Sequence, residues 1–83
     1  MKMQEKVCVV TGGANGIGRC LVESFSAAGA SVVFADTDAE HGAKLAARLP
    51  RAVFVHGDIA EEPVLYNIVR ILIIFSLNKS FLH

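Results

Sequence analysis

The sequence has no excess of charge of either sign, since 8 basic residues balance 8 acidic ones. A surface that binds nucleic acid or an anionic membrane needs a basic excess, so we expect neither partner. The chain also lacks a long uninterrupted apolar run. Residues 64–77 are the most apolar stretch, but they are too few to cross a bilayer and they include Asn67 and Arg70.

Cysteine and histidine are scarce, with 2 cysteines and 3 histidines in 83 residues. Cys8 and Cys20 lack CxxC spacing, which is typical of small buried apolar side chains rather than of a disulfide or a zinc site. The histidines are too scattered to form a metal cluster, so we predict no metal site. No signal peptide is recognisable at the start of the chain. These features predict a cytoplasmic protein.

Short valine-rich runs alternate with segments in which apolar residues recur at helical spacing. Strands are predicted at 6–11, 31–35 and 52–56, helices at 17–28 and 39–49, and a third helix start at 61–63. Loops of a few residues separate these elements. The alternation predicts an α/β fold of order β-α-β-α-β-α, with three parallel strands and right-handed crossovers.

Residues 11–18, TGGANGIG, lie between the first predicted strand and the first predicted helix. The first turn of such a helix presents unpaired N–H groups at the positive end of the helix dipole. These groups form an anion site suited to a pyrophosphate, and glycine allows the turn and the close approach. A P-loop is rejected, because Arg19 and Cys20 stand where Lys and Ser/Thr are required.

The same eight residues resemble the TGxxxGIG cofactor loop of the short-chain dehydrogenase/reductase family. The resemblance implies a Rossmann-type fold, nicotinamide-dependent oxidoreductase chemistry and a cofactor site in which this loop takes part. The loop residues predicted to contact the cofactor are Gly12, Asn15, Gly16, Ile17 and Gly18. The resemblance covers roughly residues 5–62 of this sequence and does not identify a substrate.

Asp36 ends the second predicted strand, about 20 residues beyond the loop, where an acid can accept hydrogen bonds from the adenosine ribose. Its carboxylate would repel a 2′-phosphate, so NAD is the predicted cofactor rather than NADP, and Thr37 is included in the site. Arg19 argues the other way, because a basic residue in the loop could hold a phosphate. The alternative role for Asp36 is the N-cap of the second helix, which Asp38 could fill instead.

Asp58 and Ile59 follow the third predicted strand. The resemblance implies that the acid contacts the adenine amino group and that the next residue packs on the ring. The alternative for Asp58 is a helix cap, and both roles are compatible.

The composition changes after residue 62, since every acidic residue, glycine and alanine lies at or before that position. We therefore predict a partial dinucleotide-binding domain at 1–62 and a divergent apolar tail at 63–83. Two alternatives stay open for the tail. It is either a helix that runs into a short fourth strand at 71–75, or sequence that is foreign to the fold.

Family members use a Tyr-x-x-x-Lys pair and a serine for catalysis, and this chain has no such pair. Tyr66 and Arg70 have the same spacing, but they lie too early in the fold and arginine does not titrate as lysine does. We interpret Tyr66 as a packing residue and expect the chain to be inactive alone, binding NAD(H) or its adenosine half. Without a fourth strand, residues 7–10 form an open sheet edge that favours self-association.

Overall fold

A computed structural model describes the backbone of residues 3–82 and the side chains of residues 3–77. It contains three parallel strands alternating with three helices. The elements are β1 (Val7–Thr11), α1 (Gly16–Ala27), β2 (Ser31–Asp36), α2 (Ala39–Arg48), β3 (Ala52–His56) and α3 (Glu62–Leu82). The order and types of these elements confirm the predicted α/β fold, and their bounds differ from the predicted ones by one residue at most.

The sheet has the strand order β1-β2-β3, with β2 paired in parallel to both neighbours. Val33 lies opposite Val9 on one side and opposite Val53 on the other. In-register parallel pairing brings the carboxyl ends of all three strands to the same edge of the sheet. The loops that follow the strands therefore meet at that edge.

Two hydrophobic cores cover the two faces of β2. On one face, Val32 and Phe34 pack with Val22 of α1 and Leu45 of α2. On the other face, the core consists of Val33, Ala35, Val55, Val64 and Ile68, which come from β2, β3 and α3. Residues 31–35 are all buried, which explains why this strand lacks the alternation of polar and apolar residues seen in half-exposed strands.

The tail is helical, so the fourth strand left open at 71–75 does not form in the described part of the chain. Val64, Ile68, Ile71 and Phe75 recur at helical spacing. The first two belong to the core beneath α3, and the other two are partly buried and pack against it. No glycine or proline follows Pro63 to end the helix. A short apolar run fits either a strand or a buried helix, and here helical packing against β2 and β3 decides between them.

Two burial predictions were wrong. Cys20 is exposed on α1, and Tyr66 is 69% exposed on α3 rather than packed. Both residues lie on helices whose buried stripe is narrow, and the sequence pattern did not show which side of each helix faces the sheet. In the residues that the structure describes, no helix has the length and apolarity that a membrane span needs.

We expect Ile68→Ala to lower the free energy of unfolding by about 2–5 kcal/mol, because it leaves a cavity between α3 and the sheet. Ile73→Ala is the matched control on the same helix, since Ile73 is 54% exposed and Ile68 only 3%. The control is expected to change the free energy by no more than about 0.5 kcal/mol. Urea denaturation followed by circular dichroism measures both, and equal losses would contradict the packing of α3.

Candidate cofactor site

The glycine loop between β1 and α1 has a backbone that other residues adopt with difficulty. Gly12 and Gly16 have φ angles of +69° and +59°, in the left-handed region that favours glycine. At Gly18, a Cβ atom would overlap the carbonyl group of Gly12. The first two glycines therefore allow the turn, and the third allows α1 to start close against the end of β1.

The first turn of α1 is open to an anion. It contains no acidic residue, and the N-cap residue Asn15 makes no side-chain cap hydrogen bond. Arg19 donates its N–H to the carbonyl oxygen of Asn15 at 3.2 Å, which begins the backbone hydrogen bonding of the helix. The N–H groups of residues 16–18, in the first turn, are thus available at the positive end of the helix dipole.

Asp36 connects the glycine loop to the turn after β2. Its Oδ2 accepts a hydrogen bond from the N–H of Ala14 at 3.0 Å, and its Oδ1 accepts one from the N–H of Asp38 at 3.0 Å. An ionised carboxylate has about four lone-pair positions, so both oxygens can accept further bonds from ribose hydroxyls. Asp38, and not Asp36, is the N-cap of α2. Its side chain accepts a hydrogen bond from the N–H of His41.

A cleft of about 230 Å³ opens between the ends of β1, β2 and β3. Its lining consists of Thr11, Gly12, Ala35, Asp36, Thr37, Gly57, Asp58 and Ile59. The cleft thus collects five predicted cofactor residues, namely Gly12, Asp36, Thr37, Asp58 and Ile59. The other four, Asn15, Gly16, Ile17 and Gly18, lie together at the start of α1.

The loop between β3 and α3 contains Asp58, for which a helix cap is the alternative role predicted from the sequence. Oδ1 of Asp58 accepts a hydrogen bond from the N–H of Ala60 at 2.9 Å, so this acid stabilises the turn before α3 rather than capping the helix itself. Asp58 is exposed, while Ile59 is partly buried and packs against the core beneath α3. Gly57 separates them from β3, with a φ angle of +145°.

Asp38 and His41 belong to the same edge of the molecule, although the sequence did not single out their interaction with the loop. Oδ2 of Asp38 accepts from Nδ2 of Asn15 at 2.9 Å and lies 2.7 Å from Nδ1 of His41. The N-cap spacing between Asp38 and His41 is readable from the sequence. The contact with Asn15 is not, because 23 residues separate the two side chains.

Hydrogen bonding to Asp38 favours its ionised form. The backbone N–H of His41, followed by the side-chain amide of Asn15, lowers the pKa of Asp38 to about 2 from the ordinary 3.8. The carboxylate therefore stays charged at neutral pH, and it can only accept hydrogen bonds.

A second cleft, of about 170 Å³, lies between α1 and α2 and has a basic lining. Its charged residues are already paired. Arg19 lies 3.5 Å and Arg48 lies 3.0 Å from Glu23, and Lys44 lies 3.0 Å from Glu40. The hydrogen bond from Arg48, opposed in part by desolvation and aided by Arg19, lowers the pKa of Glu23. Arg19 and Arg48 share the one carboxylate of Glu23, so this cluster keeps a net charge of about +1.

Tyr66 and Arg70, which have the spacing of a catalytic pair, do not contact each other through a hydrogen bond in the described residues. Tyr66 is exposed on α3, and Arg70 donates to the side chain of Asn67 at 3.4 Å. No group of three histidine, cysteine or acidic residues that could hold a metal ion occurs in the part of the chain that the structure describes. His83, at the end of the predicted tail, lies outside the described residues.

Comparisons with known proteins show the family to which the chain belongs. The family model described as short chain dehydrogenase matches residues 6–73. Tropinone reductase-like 2 of Erythroxylum coca is 41% identical over 69 residues, which cover 82% of this chain and 25% of that protein. L-fucose dehydrogenase of Mus musculus is 45% identical over 64 residues, covering 77% and 23%. The chain therefore spans about a quarter of the length of these relatives.

A solved structure matches as well. L-Sorbose reductase from Gluconobacter frateurii, crystallised with NADPH and L-sorbose, superposes with a TM-score of 0.75 and 28% sequence identity. The match covers 84% of this chain and 28% of the reductase.

We expect an NMR titration of the Asp38 carboxyl carbon to give a pKa of about 2. Because the folded-state pKa lies below the ordinary 3.8, these contacts stabilise the fold above that pH, and their contribution is lost as the pH falls through about 2. Asn15→Ala removes the second largest cause and should raise the pKa, although not to 3.8, since the N–H of His41 remains. An unchanged pKa in this variant would contradict the Asn15 contact.

Proposed function

Since this chain belongs to the short-chain dehydrogenase family, we propose that it binds NAD(H) as the cofactor-binding portion of such an oxidoreductase. The adenosine half lies in the cleft beyond β2, and the diphosphate lies at the first turn of α1. The observation that carries the proposal is the joint position of these two features. Asp36, at the side of the cleft, is hydrogen-bonded to Ala14 of the glycine loop itself.

Each part of the cofactor has a counterpart with matching chemistry. The free N–H groups of α1 suit the negatively charged diphosphate. Asp36 has lone pairs left to accept hydrogen bonds from the ribose hydroxyls. Asp58 and Ile59 offer an acceptor and an apolar side chain for the adenine amino group and ring. Gly12 lines the cleft and has no side chain there, so the cofactor can approach the backbone of the loop closely.

We propose NAD rather than NADP as the preferred cofactor. A 2′-phosphate would lie beside the carboxylate of Asp36, and we expect that repulsion to outweigh the attraction of Arg19, which pairs with Glu23. The solved relative, L-sorbose reductase, was crystallised with NADPH. The preference is thus a property proposed for this chain from its own charges and not one transferred from the relative.

We further propose that the chain alone does not transfer hydride. Its one tyrosine, Tyr66, belongs to the apolar tail proposed for 63–83 rather than to a Tyr-x-x-x-Lys pair. We place the domain boundary at residue 62. The residues before it supply only the adenosine side of the cofactor site. Reduction of NAD by the purified chain with an alcohol substrate would contradict this. The unpaired cysteines Cys8 and Cys20 support a reducing, cytoplasmic location.

The preference for NAD is tested with AMP and adenosine 2′,5′-bisphosphate, which differ only in the 2′-phosphate. We expect isothermal titration calorimetry to show that AMP binds at least about tenfold more tightly. Two like charges 4 Å apart repel by about 1 kcal/mol in water and about 4 kcal/mol near a protein surface. Asp36→Asn removes the charge together with one of the two backbone hydrogen bonds that Asp36 accepts. It should therefore lower the ratio of the two affinities, and this ratio, rather than either affinity alone, is the readout.

Asp58→Asn is the matched control, because it removes the other carboxylate that lines the cleft. We expect it to change both affinities by the same factor and to leave their ratio as in the unmodified chain. Equal binding of the two nucleotides to the unmodified chain would contradict the role of Asp36. Binding of neither nucleotide nor NAD would contradict the proposed function itself.

A second proposal is self-association through the outer edge of β1. In the described residues β1 pairs only with β2, so its other side presents unpaired backbone groups. Val9 in this strand is 43% exposed. α3 also exposes apolar side chains, so both surfaces are tested together.

Size-exclusion chromatography with light scattering is expected to show a mass that rises with protein concentration. Val9→Lys should return the chain to the monomer, since a charge on an edge strand opposes strand pairing. Tyr66→Lys introduces the same charge on the exposed side of α3 and should leave the association intact. If Tyr66→Lys abolishes association and Val9→Lys does not, α3 and not the β1 edge is the contact.

A further inference from the structure

Asn15 occupies the N-cap position of α1 but does not cap that helix. Asparagine is among the most favourable N-cap residues, because its side-chain oxygen accepts a hydrogen bond from the N–H of the second or third helical residue. Those residues are Ile17 and Gly18 here. The side chain of Asn15 instead donates through Nδ2 to Oδ2 of Asp38, at 2.9 Å.

The carboxylate of Asp38 determines this orientation. It is ionised and can only accept hydrogen bonds, so the Asn15 amide must present its NH₂ group to Asp38. Asp38 is itself well anchored. Its Oδ1 accepts from the N–H of His41 at 3.1 Å, and its own N–H donates to Asp36 at 3.0 Å. The anchor that holds Asn15 thus depends on α2 and β2 rather than on the glycine loop.

We propose that Asp38 is a positioning residue that holds the side chain of Asn15 away from α1, so that the first-turn N–H groups stay free for the diphosphate. This inference rests on the proposed function. Without Asp38, the oxygen of Asn15 would satisfy the N–H of Ile17 or Gly18 and compete with the ligand. The hydrogen bond between Asn15 and Asp38 therefore removes an internal competitor from the anion site.

Removal of Asp38 changes the affinity for an anionic ligand in opposite directions under this role and under a simple electrostatic effect. If Asp38 acted only as a nearby negative charge, its removal would strengthen the binding of an anionic ligand. If it holds Asn15 aside, its removal weakens binding, and the loss disappears when Asn15 is also removed. The two outcomes are opposite, so one set of variants distinguishes them.

The experiment measures ADP binding by calorimetry in Asp38→Ser, Asn15→Ala and the double variant. Serine is a good N-cap, so α2 keeps its cap, but its side chain is too short to reach Asn15. We expect Asp38→Ser to bind ADP about 3- to 30-fold more weakly, the factor that corresponds to an asparagine cap on α1. The double variant should bind within about threefold of Asn15→Ala. Adenosine, which has no diphosphate, should bind all four chains alike.

A measurement without ligand tests the same inference independently. In Asp38→Ser, amide hydrogen exchange at Ile17 or Gly18 should become slower, because the Asn15 oxygen now accepts from one of them. The double variant should lose this protection. Failure of every chain to bind ADP or NAD would overturn the proposed function, while the exchange rates would still test the role of Asp38. Unchanged exchange at both amides, ADP binding by Asp38→Ser at least as tight as in the unmodified chain, or no rescue in the double variant would overturn the inference.

Discussion

The burial of β2 on both faces is the constraint from which the other features of this chain follow. Val32 and Phe34 face α1 and α2, while Val33 faces α3, so the strand is stable only between two helical layers. With β1 and β3 paired in parallel on its two sides, all three strands end at one edge. That alignment brings the glycine loop and the acids after β2 and β3 to one cleft, although they are far apart in the sequence.

Hydrogen-bond donors and acceptors at this edge are divided between the end of β2 with its following turn and the loop before α1. The end of β2 and the turn after it supply two carboxylates, Asp36 and Asp38, and the loop before α1 supplies the donors of Ala14 and Asn15. These contacts satisfy the loop without using the first-turn N–H groups of α1. The free protein thereby keeps the arrangement in which we propose that a diphosphate binds.

The apolar surface beyond the site has a different origin. α3 packs on the sheet along one narrow stripe, and it leaves Leu65, Val69 and Ile73 about half exposed. In the doubly wound strand order, the next strand of such a sheet lies beside β1. The chain spans about a quarter of its relatives' length, and in its described residues the outer edge of β1 is unpaired.

The sequence by itself determined the order of elements, the parallel sheet and the glycine turn between β1 and α1, because these depend on local signals. Valine runs, helical spacing and the glycines at 12, 16 and 18 each act within a few residues. Only the tertiary structure decided that residues 71–75 continue α3, that Tyr66 and Cys20 face outward, and that Asn15 bonds to Asp38. Those outcomes depend on which side of a helix meets the sheet and on which distant side chains become neighbours, and neither is encoded in local spacing.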